Sequence, residues 1–357
     1  GLGGKWGRLP HPVIYREGRS MNVLDVKLQQ KSRGTIEVAR DWLDDFGQVA
    51  LATVVSTWGS APVPIGGQLI VAPGSRFEGS VSGGCVEAEV IAEADDIIAS
   101  DRPKLLEFGI AEETAWSAGL PCGGAIKVYV EPLRRERDGV YLEAVLAARL
   151  ARTSLVVLTT LRTGARRLFG TEESMPEIAI CAHERESRLV ETADGQAFLH
   201  ALVPPVRLVI VGATHIGQVL ADIAQRINYD VVIVDPRTAF ASQERFGQTE
   251  TLTEWPELSL RNLKIDARTA VVALTHAAAL DDEAMRESLR ARCLYIGALG
   301  SKRTHAKRVE RLRAEGISEK DLARIRAPVG LPIGAKGPAE IAVSIIAEIV
   351  KTSRRGP

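Results

Sequence analysis

A chain of 357 residues fits two domains of ordinary size, and 45% hydrophobic with 25% charged residues is the composition of a globular protein with a real core. Lys+Arg and Asp+Glu both number 45, so the formal net charge is zero and the pI is about 7.2, which argues against a general nucleic-acid binder. No apolar run approaches the roughly 18 residues of a membrane span.

Residues 1–34 lack the apolar core of a signal peptide. They read as a polar tail or an added leader, with Met21 a candidate native start. Four scattered cysteines, Cys85, Cys122, Cys181 and Cys293, form no CxxC pair. Neither a disulfide framework nor a structural zinc site is indicated, and a cytoplasmic chain with reduced thiols is expected.

The first domain is expected over residues 35–203 as a mixed α/β unit. Apolar spacing predicts a helix over 35–46. The run VALATVVSTWGS reads as a buried strand ending at Gly59, and WGSAPVPIGGQ after it as a rigid loop of the kind that rims binding sites. A hairpin follows, with strands Gln68–Ala72 and a second up to Val81 around Pro73-Gly74. Residues 87–100 read as a helix, and AIKVYVEP as a strand stopped by Pro132. A helix near 142–151 and the strand SLVVLTTL lead to Leu202, and Val203-Pro204-Pro205 is the linker.

The second domain, 206–357, reads as a Rossmann-like, doubly wound parallel sheet. VRLVIV, DVVIVD, TAVVALT and CLYIGALG are short, nearly continuous apolar runs separated by helical segments. The first run ends in Gly212-Ala213-Thr214-His215-Ile216-Gly217, a GxGxxG turn with Thr214 at the second glycine. Gly212 makes the tight turn and Gly217 lets the helix pack, but the Thr214 side chain stands where a pyrophosphate would approach. A dinucleotide would sit less deeply there, or a single phosphate would bind instead. Asp235 closes the next strand 23 residues after Gly212, where a ribose hydroxyl would be held, and Arg237 is placed to face a phosphate. His276 follows a third strand at the same edge. Gly300-Ser301-Lys302-Arg303 opens a helix whose N-terminus and cations form a candidate anion site. The plain alternatives are a tight strand–helix turn, a structural histidine and a solvated basic face.

Two further loops carry thiols. In Gly83-Gly84-Cys85-Val86-Glu87, Cys85 stands between a glycine turn and a helix start, where the helix dipole favours a thiolate. Glu87 is either a helix-start carboxylate or a general base. Cys122-Gly123-Gly124 repeats the pattern before a strand. Thiolates binding a soft metal, a dithiol pair or a persulfide carrier would each suit a shared Cys85–Cys122 site. The plain alternative is that they are two small buried residues in tight turns. Cys181 and Cys293 read as core.

Together, WGSAPVPIGGQL, FEGSVSGGCVEAEVI, LLEFGI, AWSAGLPCGGAIKVYVEP, VIVGATHIGQVLA, VVIVDPRTAFA, ALTHAAALDD, YIGALGSKRTHAKR and APVGLPIGAKGPAEIAVSIIAEI resemble the xanthine dehydrogenase accessory factor family, XdhC/CoxI, with its CoxF-type members. The match runs from about Thr35 to the C-terminus. The resemblance implies a maturation chaperone for molybdenum hydroxylases. Such a protein binds molybdenum cofactor (molybdopterin), supports its sulfuration with a cysteine desulfurase and delivers it to the apo molybdenum hydroxylase. It also implies a homodimer without independent turnover. Val63 and Gln68-Leu69 stand where many members have Arg and Lys-Met, which points to the carbon monoxide dehydrogenase type rather than the xanthine dehydrogenase type. On this reading the cargo docks between the domains, its phosphate at a glycine turn and its metal at Cys85 and Cys122. The competing expectations are an NAD(P)-dependent oxidoreductase, with His276 or His215 as proton donor, and an interaction scaffold with an empty Rossmann unit.

Overall fold

The computed structural model describes residues 34–59, 61–109, 124–171 and 175–355. Strands β1 (Gln48–Trp58), β2 (Gln68–Ala72), β3 (Arg76–Gly79), β4 (Lys104–Phe108) and β5 (Ala125–Arg134) form an antiparallel sheet in the order β3-β2-β1-β5-β4. Helices α1 (Thr35–Phe46) and α3 (Arg135–Ala151) pack on one face against Val49, Leu51, Ile70 and Leu133. Helix α2 (Cys85–Ser100) covers the other through Val86, Val90, Ala94 and Ile97, against Ala50, Ala52, Val54 and Val128. Both faces of β1 are therefore buried, which is why VALATVV is apolar without alternation.

Four boundaries differ from the expectation. Strand β5 runs through Pro132 to Arg134, with Pro132 opposite Ala50. Its pairing with β4 ends at Val130, so beyond that residue one side of β5 is an edge, where a missing N–H breaks no ladder bond. Helix α3 starts at Arg135, its first turn fixed by Asp138, which accepts from the Arg134 N–H at 2.8 Å and pairs with Arg166. Strand β3 ends at Gly79 and α2 begins at Cys85, because residues 80–84 serve a different purpose, described below.

The segment leading to Leu202 folds as a second antiparallel sheet. Its strands β6 (Leu155–Thr160), β7 (Arg166–Phe169), β8 (Arg188–Thr192) and β9 (Gly195–Leu202) lie in the order β7-β6-β9-β8, with helix α4 (Pro176–Glu184) packed on them. Cys181 is buried in that core, and burial pushes its thiol pKa up. Val55 and Tyr129 of the first sheet meet Leu161 and Phe198 of the second.

After the linker, β10 (Arg207–Val211), β11 (Asp230–Val234), β12 (Glu250–Leu252), β13 (Thr269–Ala273), β14 (Tyr295–Ala298) and β15 (Ile325–Arg326) form a six-stranded parallel sheet in the order β12-β11-β10-β13-β14-β15. Helices α5 (His215–Arg226) and α11 (Pro338–Arg355), with the short α6 (Gln243–Phe246), cover one face. Helices α7 (Pro256–Asn262), α8 (Ala278–Arg290), α9 (Lys302–Ala314) and α10 (Glu319–Leu322) cover the other. The order is that of a doubly wound fold with its crevice between β10 and β13.

The two halves meet at the amino ends of these parallel strands. Arg152, just past α3 and almost fully buried, bonds to Asp266 at 2.6 and 3.2 Å, Asp230 at 3.3 Å and the Pro205 carbonyl at 3.2 Å. Arg268 donates to the Pro204 carbonyl at 2.6 Å. Burial alone would raise the Asp266 pKa; hydrogen bonds from Arg152 and Thr269 outweigh it and bring the pKa to about 2. Removing the guanidinium takes the ion-pair partner from Asp266, which keeps Thr269 and the Arg268 N–H, and leaves Asp230 with Arg149. Arg152→Ala is expected to cost about 3 kcal/mol in a denaturant titration, the range for breaking a buried pair. A loss below about 1 kcal/mol, the range of exposed pairs, would show that the junction does not depend on this residue.

Candidate functional site

The expected residues gather at two separate edges. The first is the end of the antiparallel sheet where β1 finishes. Trp58 there pairs with Ala125, so the loop after β1, the residues after β3 and the start of β5 all open on one side. Residues 80–84 wrap around Glu87. Its carboxylate accepts from the Ser80 hydroxyl at 2.7 Å, the Ser82 hydroxyl, and the N–H groups of Val81 at 3.2 Å, Ser82 at 2.8 Å and Gly84 at 2.9 Å. Burial would raise the Glu87 pKa. The bonds from Ser82 and Ser80 overcome that and bring it down to about 2. A carboxylate this saturated is a clamp on the loop and a poor general base.

The clamp explains the Ser-x-Ser-Gly-Gly pattern. Gly84 takes φ +120°, a conformation that side chains other than glycine rarely adopt, and open space surrounds the place a Cβ would take. Gly83 and Gly84 are exposed. Cys85 is the first residue of α2, 16 residues long, so its backbone sits at the positive end of the helix dipole. Gly124 is buried just before β5. Cys122 and Gly123 lie outside the described residues, as does the expected meeting of the two cysteines.

The second edge is at the carboxyl ends of the parallel strands. Gly212 takes φ +115°, and a Cβ on it would lie 2.9 Å from Thr275 Cγ2 and 3.0 Å from the Thr275 nitrogen, so this turn and the one after β13 touch. Thr214 is the N-cap of α5, and its hydroxyl accepts from the Gly217 N–H at 3.2 Å. A side chain expected to obstruct a phosphate instead satisfies the helix's own donor. His215 is exposed at the first position of α5. Asp235 is fully buried and accepts from Ala213 N at 2.8 Å and from Arg237 N, Nε and Nη2 at 3.0, 2.9 and 2.7 Å. Burial opposes its ionisation, and the Arg237 bonds reverse the balance to lower the pKa. Both oxygens expected to hold a ribose are thus occupied, and Arg237 is held in turn, stacked 4.2 Å from the centre of the Phe240 ring.

Residues the sequence did not single out complete this edge. Asp281 accepts from the Thr275 hydroxyl at 2.6 Å and its N–H at 3.2 Å, and Arg308 reaches it at 3.3 Å. Burial raises the Asp281 pKa against those bonds. Arg308, on the same helix as Lys302 and Arg303, is 2% exposed and also lies 3.5 Å from Asp282, so it does not belong to a solvated basic face. The Asp281-Asp282 pair after a strand was the available signal, since buried arginines need carboxylates. Beside it, His276 is exposed with φ 61°, a left-handed conformation in a non-glycine residue. Gly300 takes φ +130°, and Ser301 caps α9 by accepting from Thr304 N at 3.2 Å. Lys302 and Arg303 are exposed at the first turn, and no carboxylate pairs with them among the described residues. Cys293 is half-buried at the far end of β14, and burial pushes its thiol up to about 11.

With both edges described, comparisons with known proteins can be placed on them. Residues 208–349 match the XdhC Rossmann domain and residues 42–109 the XdhC and CoxI family. The chain is 31% identical over 300 residues to the molybdenum cofactor insertion chaperone PaoD of Escherichia coli K12, covering 84% of this chain and 81% of that protein. It is 28% identical over 326 residues to a probable xanthine dehydrogenase subunit from Bacillus subtilis 168, covering 88% of this chain and 96% of that protein. The crystal structure of a xanthine dehydrogenase from Bacillus halodurans superposes with a TM-score of 0.73 at 25% identity, over 90% of this chain and 96% of that one.

The clamp makes a pH-dependent prediction. The Glu87 pKa is depressed from 4.5 to about 2, so its stabilisation is complete above pH 4.5 and is lost as pH falls toward 2. Glu87→Gln is expected to cost roughly 2–3 kcal/mol at pH 7, and the gap to the unmodified protein should close below pH 3. Equal denaturant midpoints at pH 7 would contradict the clamp.

Proposed function

Since the chain belongs to the XdhC and CoxI family, we propose that it binds molybdenum cofactor as cargo and assists its insertion into a molybdenum hydroxylase. The observation that carries this reading is the glycine turn before α2, locked by Glu87, which places Cys85 at a helix N-terminus on an otherwise satisfied loop. A thiolate favoured by the helix dipole is a soft donor, suited to the molybdenum–dithiolene end of the cargo or to passing sulfur to it. Cys122 is the second thiol in this proposal, because β5 starts at the same edge two residues after Gly123. The phosphate end of the cargo needs donors of the opposite kind, which the exposed Lys302 and Arg303 supply at the N-terminus of α9.

The client in this reading is an apo molybdenum hydroxylase of the carbon monoxide dehydrogenase or xanthine dehydrogenase type, with a cysteine desulfurase supplying sulfur in the cytoplasm. No described helix is long and apolar enough to cross a membrane. The rival NAD(P)-dependent oxidoreductase loses support at Asp235, whose two oxygens are both bonded within the chain.

The test is reconstitution. Protein loaded anaerobically with the cofactor is mixed with apo-hydroxylase, and the activity gained is followed. Loaded wild-type protein should activate the client, and Cys85→Ala should lower the yield by about tenfold or more while its melting temperature stays within about 3 °C. Full activation by the Cys85→Ala protein would remove the thiol from the mechanism.

A further inference from the structure

Strand β3 closes one side of the first sheet differently from every other edge strand among the described residues. All of its residues, Arg76–Gly79, are exposed, whereas β4, β7, β8, β12 and β15 each half-bury or bury at least one. Its open side also presents unpaired backbone. The Ser80 N–H donates to the Gln68 carbonyl of β2 at 3.0 Å. Backbone groups alternate sides along an antiparallel strand, so those of Glu78 and Arg76 face β2 as well, and the N–H and C=O of Phe77 point away from the sheet. Such an edge is a template for another strand. The side chains indicate which one. Arg76 and Glu78 lie opposite Ala72 and Ile70, on the face covered by α1, and Phe77 lies opposite Val71, on the face covered by α2. The Arg76 guanidinium stacks 4.9 Å from the centre of the Trp42 ring, and Glu78 has no ion-pair partner among the described residues. A strand with opposite charges on either side of a central aromatic is complementary to itself when run antiparallel.

We propose that β3 pairs antiparallel with β3 of a second copy of this chain, about a two-fold axis at Phe77. In this register Phe77 faces the partner's Phe77. Arg76 faces the partner's Glu78 and Glu78 faces the partner's Arg76, so symmetry makes two opposite-charge pairs from one contact. The outward N–H and C=O of Phe77 exchange hydrogen bonds with the same groups of the partner's Phe77. The two five-stranded sheets become continuous, and the Phe77 side chain, 51% exposed in the single chain, is covered. The same register sets the partner's Gly74 and the partner's Ser75 opposite Ser80 and Gly79, where the chain enters the loop held by Glu87. The second copy thus borders that loop on its open side. The pairing does not depend on the cargo reading.

Sedimentation velocity of the full chain over a concentration series tests this. The wild type should form a dimer. Arg76→Glu sets carboxylates opposite each other, and Glu78→Arg sets guanidiniums opposite each other, at both symmetric positions. Each should weaken the dimer about tenfold or more. Mixed one to one, the two variants should pair with each other, because every charge in one then meets its opposite in the other. The double exchange Arg76→Glu/Glu78→Arg within one chain should restore wild-type association. Phe77→Pro is a second probe: the N–H it removes lies on the open side, so the ladder to β2 is spared while the new pairing is blocked. Melting temperatures of all variants should stay within about 3 °C of the wild type. A wild type that remains monomeric overturns the proposal, and so does a dimer that both single exchanges leave intact. Single variants that dissociate and fail to recover on mixing would show that Arg76 and Glu78 do not face each other, which overturns it too. A dimer that appears only after residues 1–33 are removed would assign the edge to that segment instead.

Discussion

The buried guanidinium of Arg152 determines which ends of the two halves meet. It lies between Asp266, Asp230 and the Pro205 carbonyl, and it brings the end of α3 against the amino ends of β11 and β13. A parallel sheet docked by its amino ends must present its carboxyl ends elsewhere. In open α/β sheets those carboxyl ends are where ligands bind. The junction thus leaves the crevice between β10 and β13 open.

The glycine turns show a second common constraint. Backbone N–H groups at a turn leading into a helix attract an anion, and in two of these turns the chain supplies its own. Glu87 fills the turn before α2, and Asp235 takes the Ala213 N–H beside α5. Each carboxylate is held ionised by its donors against the cost of burial. The result is two rigid loops that do not need a phosphate to be satisfied. The turn before α9 differs, because its cap is a serine and its first two side chains are exposed cations that pair with no carboxylate among the described residues. Electrostatics therefore distinguishes turns filled by the chain's own carboxylate from a turn that presents exposed cations.

Much of this was legible in the sequence. Local patterns found α1 with its observed bounds and the doubly wound sheet from its β-branched runs. What escaped depends on partners distant along the chain. Arg152 and Asp266 are 114 residues apart, and nothing near either announces the other. Arg308 stands in a cation-rich helix sequence, yet it is buried because α8 brings Asp281 and Asp282 to it. Pro132 looked like a strand terminator because the shortness of β4 beside it could not be known. At the site, the glycines and Cys85 were visible as a motif. Glu87's saturation was not, since it requires Ser80 and Ser82 to turn inward.

The measurement that tests the central claim most directly is the cargo content of the purified protein. The full chain is mixed anaerobically with molybdenum cofactor and passed through gel filtration, and molybdenum and pterin in the protein peak are quantified beside a parallel run with NAD(P)H. A chaperone of this family should elute with molybdenum and pterin in a 1:1 ratio, near-stoichiometric with the chain, and with no retained nucleotide. Saturable NAD(P)H binding with no pterin in the peak would contradict the account and return the parallel sheet to redox chemistry.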